Sequence, residues 1–134
     1  MDFEFSKGDR ALRSEAIDFT RANWKQDVYD TAILINWHHT DPDAEAATKT
    51  FEKKLVGKKW YTMHWPEEHG GAGVGITTQL AYREAMAYAG APASLGGGLV
   101  APVLMVAAPK WMQDEFLPRI ANADLEFSQG FSEP

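Results

Sequence analysis

The first part of the chain places apolar side chains at helical spacing. Leu12, Ala16 and Phe19 are three or four residues apart, and polar side chains occupy most positions between them. Ser6 stands just before this pattern and belongs to the residue types that cap helix starts. The pattern therefore predicts an amphipathic helix from Ser6 to about Trp24.

A second helix follows a less regular stretch. Residues 24–40 are rich in apolar side chains and fit either a short helix or an irregular hydrophobic loop. After them, Thr40 can cap a helix, Pro42 suits its first turn, and Gly57 suits its end. We expect this helix to end near Val56.

Three more helices are predicted in the second half. One is capped by Thr77 or Thr78 and ends near Ala89, one spans residues 93–107, and one spans residues 110–121. We expect Pro102 to split the middle helix and Pro118 to kink the last one. In the first of these helices, the side chains predicted to share a face are Leu80, Ala81, Glu84, Ala85 and Tyr88. In the last, Met112, Phe116 and Ile120 are predicted to point inward.

The period changes near the end of the chain. Between residues 125 and 131, Leu125, Phe127, Gln129 and Phe131 alternate with Glu126, Ser128 and Gly130, which is the spacing of a strand. A lone strand cannot pair its backbone groups, so we expect the protein to continue into a β domain. The predicted organisation is an all-α, up-and-down helical bundle of about five to six helices over residues 1–122, with the start of a β domain over residues 123–134.

A glycine-rich loop separates the two helical blocks. Residues 65–75 read Trp-Pro-Glu-Glu-His-Gly-Gly-Ala-Gly-Val-Gly. Ile76 stands where a phosphate-binding loop needs Lys, and again where a dinucleotide fingerprint needs its third Gly. The loop is therefore interpreted as a rigid turn that leads into a helix start.

Composition narrows the classes of function. The net charge of −6 argues against a nucleic-acid partner. The chain has no cysteine, which excludes disulfides, thiolate catalysis and cysteine-bound metals in it. The acidic N-terminus resembles neither a secretory signal nor a transit peptide, so we expect a cytoplasmic, bacterial protein.

The sequence also contains a long uncharged stretch and four histidines, which indicate neither a membrane span nor a metal site. Residues 85–109 carry no charged side chain, but prolines and glycines divide them into pieces too short to span a membrane, so buried helices are expected instead. Four histidines, His38, His39, His64 and His69, match no compact zinc motif. We predict no metal site.

Several motifs together resemble the acyl-CoA dehydrogenase family. They are Trp60, the stretch Trp-Pro-x-Glu-x-Gly-Gly-x-Gly at residues 65–73, Glu84, Phe-Leu-Pro at residues 116–118, and Phe-Ser-Glu-Pro at residues 131–134. They occur in the family's order and at nearly its spacing. The stretch at residues 108–113 departs from the family's Gly-Thr-x-x-Gln and keeps only Gln113.

The resemblance implies an FAD-dependent enzyme that oxidises acyl-CoA to trans-2-enoyl-CoA. In the family, a base removes the α-proton and flavin N5 takes the β-hydride. Electrons then pass to an electron-transferring flavoprotein, and the enzymes are homo- or hetero-oligomers. The base lies in the family's C-terminal helical domain, beyond Pro134, so no catalytic residue is assigned to this chain. Glu84 is interpreted as a helix residue paired with a cation or a backbone donor.

The resemblance also implies two sets of site residues. Gln129, Phe131 and Ser132 match family positions that contact the flavin, and the Ser132 hydroxyl can donate to its polar edge. Gln129 stands where an aromatic residue is common. In the family, helices that match residues 90–105 line the tunnel for the acyl chain. Ala91, Ser94 and Gly98 fall near one face there, and their small size would either leave room for a bulky or branched acyl group or let helices pack closely.

Two alternative functions remain open at this point. One is a flavin monooxygenase or oxidase on the same scaffold, which would need a flavin that oxygen can reach. The other is a helical module without catalysis that binds a partner subunit.

Overall fold

The computed structural model describes residues 4–24, 42–91 and 97–127. Within these ranges the elements are helical: α1 (Lys7–Asn23), α2 (Pro42–Gly57), a 3-10 turn (Glu67–His69), α3 (Ile76–Tyr88), α4 (Val100–Ala107) and α5 (Lys110–Ala121). The described residues contain no strand, which confirms the all-α prediction. No helix in these ranges is both long and apolar enough to cross a membrane.

The first helix starts as predicted. Ser6 Oγ accepts a hydrogen bond of 3.1 Å from the Asp9 amide, so Ser6 is the N-cap.

The inner face of α1 packs in a first core cluster with α2, α3 and the segment after α2. This cluster contains Ala16, Trp24, Phe51, Leu55, Trp60, Tyr61, Met63, Tyr82, Ala85, Met86 and Ala91.

Contacts between these helices define their directions. Asp9 meets Thr78 and Arg13 meets Glu84, so α1 and α3 run parallel. Glu15 meets Lys58, which follows the end of α2, and Trp24, after the end of α1, packs against Phe51 within α2, so α2 runs the opposite way. This alternation confirms the up-and-down order of the bundle.

A second core cluster joins α4 and α5. It contains Trp65, Ala101, Leu104, Leu117 and Ile120. Residues 60–65 connect the two clusters, because Trp60 and Met63 pack in the first and Trp65 packs in the second. The glycine loop follows this connection directly.

The predicted cap of α3 is wrong, and the face predicted from spacing is not its buried face. The helix begins after Gly75 with no side-chain cap, and the Thr78 hydroxyl donates to Asp9 instead. Ala81, Tyr82, Ala85 and Met86 are buried, whereas Leu80 and Tyr88 are 58% and 67% exposed. The two large side chains of Tyr82 and Met86 fill the space against α1 and α2, which turns Leu80 and Tyr88 outward.

The later elements differ in detail from their predictions. Residues 97–99 form a turn, so α4 begins at Val100 and Pro102 lies in its first turn instead of splitting it. The predicted helix 110–121 is confirmed, and it continues through Pro118. Leu117 and Ile120 are its buried residues.

The ends of the described ranges limit two further predictions. Residues 124–127 have no regular secondary structure, and the rest of the predicted strand, residues 128–131, lies outside the described residues. Most of the ambiguous stretch 24–40 and the predicted cap Thr40 also lie outside them.

Candidate functional site

The glycine loop is fixed by backbone hydrogen bonds. The Gly73 amide donates to the Trp65 carbonyl at 2.9 Å, and the Val74 amide donates to the Met63 carbonyl at 3.1 Å. A methyl group on Gly71 would lie 2.1 Å from the Trp65 carbonyl oxygen, so no side chain fits there. These contacts confirm the interpretation of a rigid loop.

A second glycine turn packs against the same tryptophan. Gly97 has φ +80°, and a methyl group on it would lie 2.4 Å from Ala101 Cβ and 3.3 Å from Trp65 Cζ2. The position therefore requires glycine for both its dihedral angle and its surroundings. Gly98 has φ +45° and faces open space, with nothing within 4 Å of its Cβ direction.

The turn leads into an exposed apolar surface. Leu99, Val103 and Val106 lie at helical spacing and are 67%, 62% and 87% exposed. We call these three residues the α4 outer face. Trp111, at the start of α5, is also largely exposed. Residues 85–109, which include this face, carry no charged side chain.

The predicted acyl-pocket residues lie in different surroundings. Ala91 is 2% exposed within the first core cluster, and its amide donates to the Met86 carbonyl. Gly98 lies at the exposed tip of the turn at residues 97–99. Ser94 lies outside the described residues. Their role in an acyl pocket stays a prediction.

The predicted flavin contacts Gln129, Phe131 and Ser132 lie outside the described residues. The chain that leads toward them is anchored on α5 and α2. Phe127 packs edge-on against Phe116, with ring centroids 5.9 Å apart. Lys53 of α2 donates to the Asn122 carbonyl at 2.6 Å and forms an ion pair with Asp124.

Glu84 pairs with Arg13. The Arg13 guanidinium donates to the Glu84 carboxylate at 2.8 Å, and it also lies 5.9 Å from the centre of the Tyr88 ring. Both partners are partly exposed. This pair confirms that Glu84 is a helix residue bound to a cation.

The two described histidines, His64 and His69, have different surroundings. His64 is half-buried, and burial, together with the Arg83 charge, lowers the pKa of its imidazole below 6.5. His69 lies beside Glu68, with Nε2 3.8 Å from the carboxylate. Within the described ranges, no group of three His, Cys, Asp or Glu side chains could hold a metal ion. His38 and His39 lie outside these ranges.

Sequence reasoning missed a cavity between the glycine loop and α5. It has a volume of about 570 Å³, and its lining includes Glu68, His69, Lys110, Gln113 and Asp114. Lys110 and Asp114 pair with each other, and Gln113 donates to the Ala108 carbonyl at 3.0 Å. The two sides of this cavity are about forty residues apart in the chain, so no local pattern indicates it.

Comparison with known proteins finds that the chain is similar to acyl-CoA dehydrogenases. A model described as "Acyl-CoA dehydrogenase, N-terminal domain" matches residues 6–124. Acyl-CoA dehydrogenase FadE26 of Mycobacterium tuberculosis is 43% identical over 76 residues, which are 56% of this chain and 19% of that protein. Acyl-CoA dehydrogenase IpdE1 of the same organism is 34% identical over 89 residues, which are 64% of this chain and 23% of that protein.

A solved structure extends the likeness to the whole chain. The crystal structure of the ChsE4-ChsE5 complex from M. tuberculosis aligns with a TM-score of 0.78 at 26% identity. The alignment covers 100% of this chain and 32% of the chain in that crystal structure. The protein chain described here thus spans about a fifth of the curated relatives and a third of the solved one.

Proposed function

The chain belongs to the acyl-CoA dehydrogenase family, and from that membership we propose that it is the N-terminal helical part of an FAD-dependent enzyme. The enzyme would oxidise an acyl-CoA thioester to the trans-2-enoyl-CoA. The observation that carries the proposal is the match of the family's N-terminal domain over residues 6–124. The motifs that resemble the family lie mostly within the same span.

The proposed contribution of this domain is a wall for the acyl chain. The turn at residues 97–99 and the α4 outer face present exposed apolar side chains, and they lie in a stretch, residues 85–109, that carries no charged side chain. An acyl chain that lies against Leu99, Val103 and Val106 would bury apolar surface and exclude water, which favours binding. Gly98, with open space around it, would leave room for the chain.

The proposed flavin contacts remain Gln129, Phe131 and Ser132. The Ser132 hydroxyl can donate a hydrogen bond to the polar edge of a flavin ring. FAD, when bound, would supply the acceptor for the hydride. We assign no catalytic base to this chain.

Oligomerisation and electron transfer complete the proposal. The solved relative is described as a complex of two proteins, which supports a homo- or hetero-oligomer here. Electron-transferring flavoprotein is the proposed acceptor of the electrons.

The test uses the whole polypeptide that contains this domain. We expect it to purify with FAD and to convert acyl-CoA to a product lighter by two hydrogen atoms, as mass spectrometry would show. Rapid oxygen consumption coupled to turnover would indicate an oxidase or monooxygenase instead. Absence of flavin together with retained oligomerisation would indicate a helical subunit without catalysis.

A further inference from the structure

The turn at residues 97–99 is fixed on its inner side and free on its outer side. Inside, the backbone at Gly97 packs against Trp65, Ala101 and Ile120, which leave no space for a methyl group. Outside, nothing lies within 4 Å of the Cβ direction of Gly98. The position of this turn is therefore set by the residues beneath it.

The same turn sets where Leu99 and α4 begin. The Gly97 carbonyl accepts hydrogen bonds from the Val100 amide at 2.9 Å and the Ala101 amide at 3.1 Å. Leu99 lies between these partners and points largely into solvent. A displacement of Gly97 would therefore move the Leu99 side chain and the first turn of α4 with it.

Trp65 is held firmly enough to act as a support for this turn. Its side chain is 1% exposed in the second core cluster. Its amide donates to the Thr62 carbonyl and its carbonyl accepts from the Gly73 amide, both at 2.9 Å. Trp65 thus connects the rigid glycine loop to the turn at residues 97–99.

From this packing we infer that Trp65 is a positioning residue that limits the size of the acyl group the enzyme accepts. The inference rests on the proposed function, because it assumes that Leu99 contacts the acyl chain. A smaller ring at position 65 would leave space beneath Gly97. The turn would then move inward, Leu99 would follow, and the pocket would widen.

The test compares two tryptophan variants in the whole native enzyme. Trp65→Phe removes part of the support beneath Gly97. Trp60→Phe is the matched control, because Trp60 is also buried but packs against Phe19 and Tyr82 in the first cluster. For each variant, kcat/KM is measured for a short and a long or branched acyl-CoA, and flavin content and oligomeric state verify folding.

The expected result is a change of about tenfold in the ratio of kcat/KM values, in favour of the larger acyl group, for Trp65→Phe only. The control should keep this ratio within about twofold, even if both variants lose stability. An unchanged ratio in folded Trp65→Phe, or an equal change in both variants, would overturn the inference.

A second variant serves if Trp65→Phe does not fold. Ala101→Gly removes the methyl group nearest to the Cβ direction of Gly97, and it should shift the ratio the same way. A folded Ala101→Gly enzyme with the wild-type ratio would contradict the inference. A wild-type enzyme that oxidises no acyl-CoA would instead overturn the proposed function itself, and the inference with it.

Discussion

At the scale of single residues, one carboxylate joins the start of α1 to α3. Asp9 is nearly buried, and it accepts hydrogen bonds from the Thr78 hydroxyl at 2.6 Å and the Ser6 hydroxyl at 2.7 Å. These bonds, with that from Thr78 the stronger influence, lower the pKa of Asp9 below its usual 3.8. Because the folded form binds this proton more weakly than the unfolded form, Asp9 stabilises the fold above pH 3.8 and loses that effect as the pH falls through its lowered pKa.

Replacement of Asp9 by Asn should therefore lower the free energy of unfolding at pH 7 and flatten its dependence on acidic pH. Urea denaturation of both forms between pH 7 and pH 3 would measure this. Asp18→Asn, on the exposed side of the same helix, is the control. Parallel pH profiles for wild type and Asp9→Asn would contradict the prediction.

His64 should also reduce stability as the pH falls, but in a higher pH range than Asp9. Burial and the Arg83 charge lower the pKa of its imidazole, and its buried Nδ1 has no hydrogen-bond partner within the described residues. The unfolded chain takes up this proton first as the pH falls below 6.5, so stability decreases there. His64→Gln should reduce that decrease in urea experiments between pH 8 and pH 5. Identical slopes for His64→Gln and wild type would refute this.

Single-residue predictions from the sequence succeeded where the partner is local. The Ser6 cap was predictable because its partner, the Asp9 amide, lies three residues away. Thr77 or Thr78 is predicted to cap α3 in the same way, but the Thr78 hydroxyl donates to Asp9, 69 residues earlier. The sequence does not reveal which helices will meet, so it could not show that partner.

At the scale of elements, three helices end in the same backbone motif. After α2, α3 and α5, a residue with positive φ is followed by an amide that bonds back to the carbonyl five residues earlier. The positive-φ residues are Lys59, Gly90 and Ala123, with φ of 58°, 80° and 53°. Glycine adopts this conformation freely, whereas Lys and Ala do so at a cost in energy.

Lys59→Gly and Ala123→Gly should therefore each stabilise the fold by about 0.5–1 kcal/mol, and Gly90→Ala should destabilise it by a similar amount. Urea denaturation at neutral pH measures all three changes. Gly57→Ala is a useful comparison, because Gly57 is the last residue of α2 and has no positive φ. Destabilisation by both Lys59→Gly and Ala123→Gly would contradict the prediction.

These helix ends also show what limits prediction at this scale. The sequence places the end of α2 near Gly57, which is right for the helix boundary. The residue in the left-handed backbone conformation, however, is Lys59, two residues after Gly57. The turn that ends the helix reaches this far because Trp60, the next residue, packs in the first core cluster. Likewise, helical spacing predicted α3 but not which of its faces is buried, because Leu80 and Tyr82 are both apolar enough to face a core.

At the scale of the whole molecule, the two core clusters are joined to each other. Residues 60–65 contribute to both clusters, and Lys53 adds a link from α2 to the end of α5. The positive charge of Lys53 at the C-terminal end of α5 also suits the helix dipole. We therefore expect the clusters to unfold together.

Leu55→Ala in the first cluster and Ile120→Ala in the second should each cost about 2–5 kcal/mol, because both side chains are fully buried. Each variant should still unfold in one transition, with coincident tryptophan fluorescence and far-ultraviolet circular dichroism in urea. The exposed substitution Val106→Ala is the control. Separate transitions for the two signals would show that the clusters are independent.

The overall architecture and the family were predictable, and both are confirmed. The candidate site was less predictable from the sequence. The sequence singled out Gly98 for its small size, while the packing that requires glycine is at Gly97, against Trp65 and Ile120. That contact joins residues far apart in the chain, and neither helical spacing nor the resemblance indicates it. The flavin contacts at Gln129, Phe131 and Ser132 stay predictions.

The most direct measurement is photochemical labelling of the whole enzyme by an acyl-CoA with a photoreactive group on its acyl chain. We expect mass spectrometry to find the label on residues 97–107, above all at Leu99, Val103 or Val106, and unlabelled acyl-CoA to prevent the labelling. An enzyme that turns over this substrate but carries the label only outside residues 97–107 would contradict the proposal that this domain contacts the acyl chain.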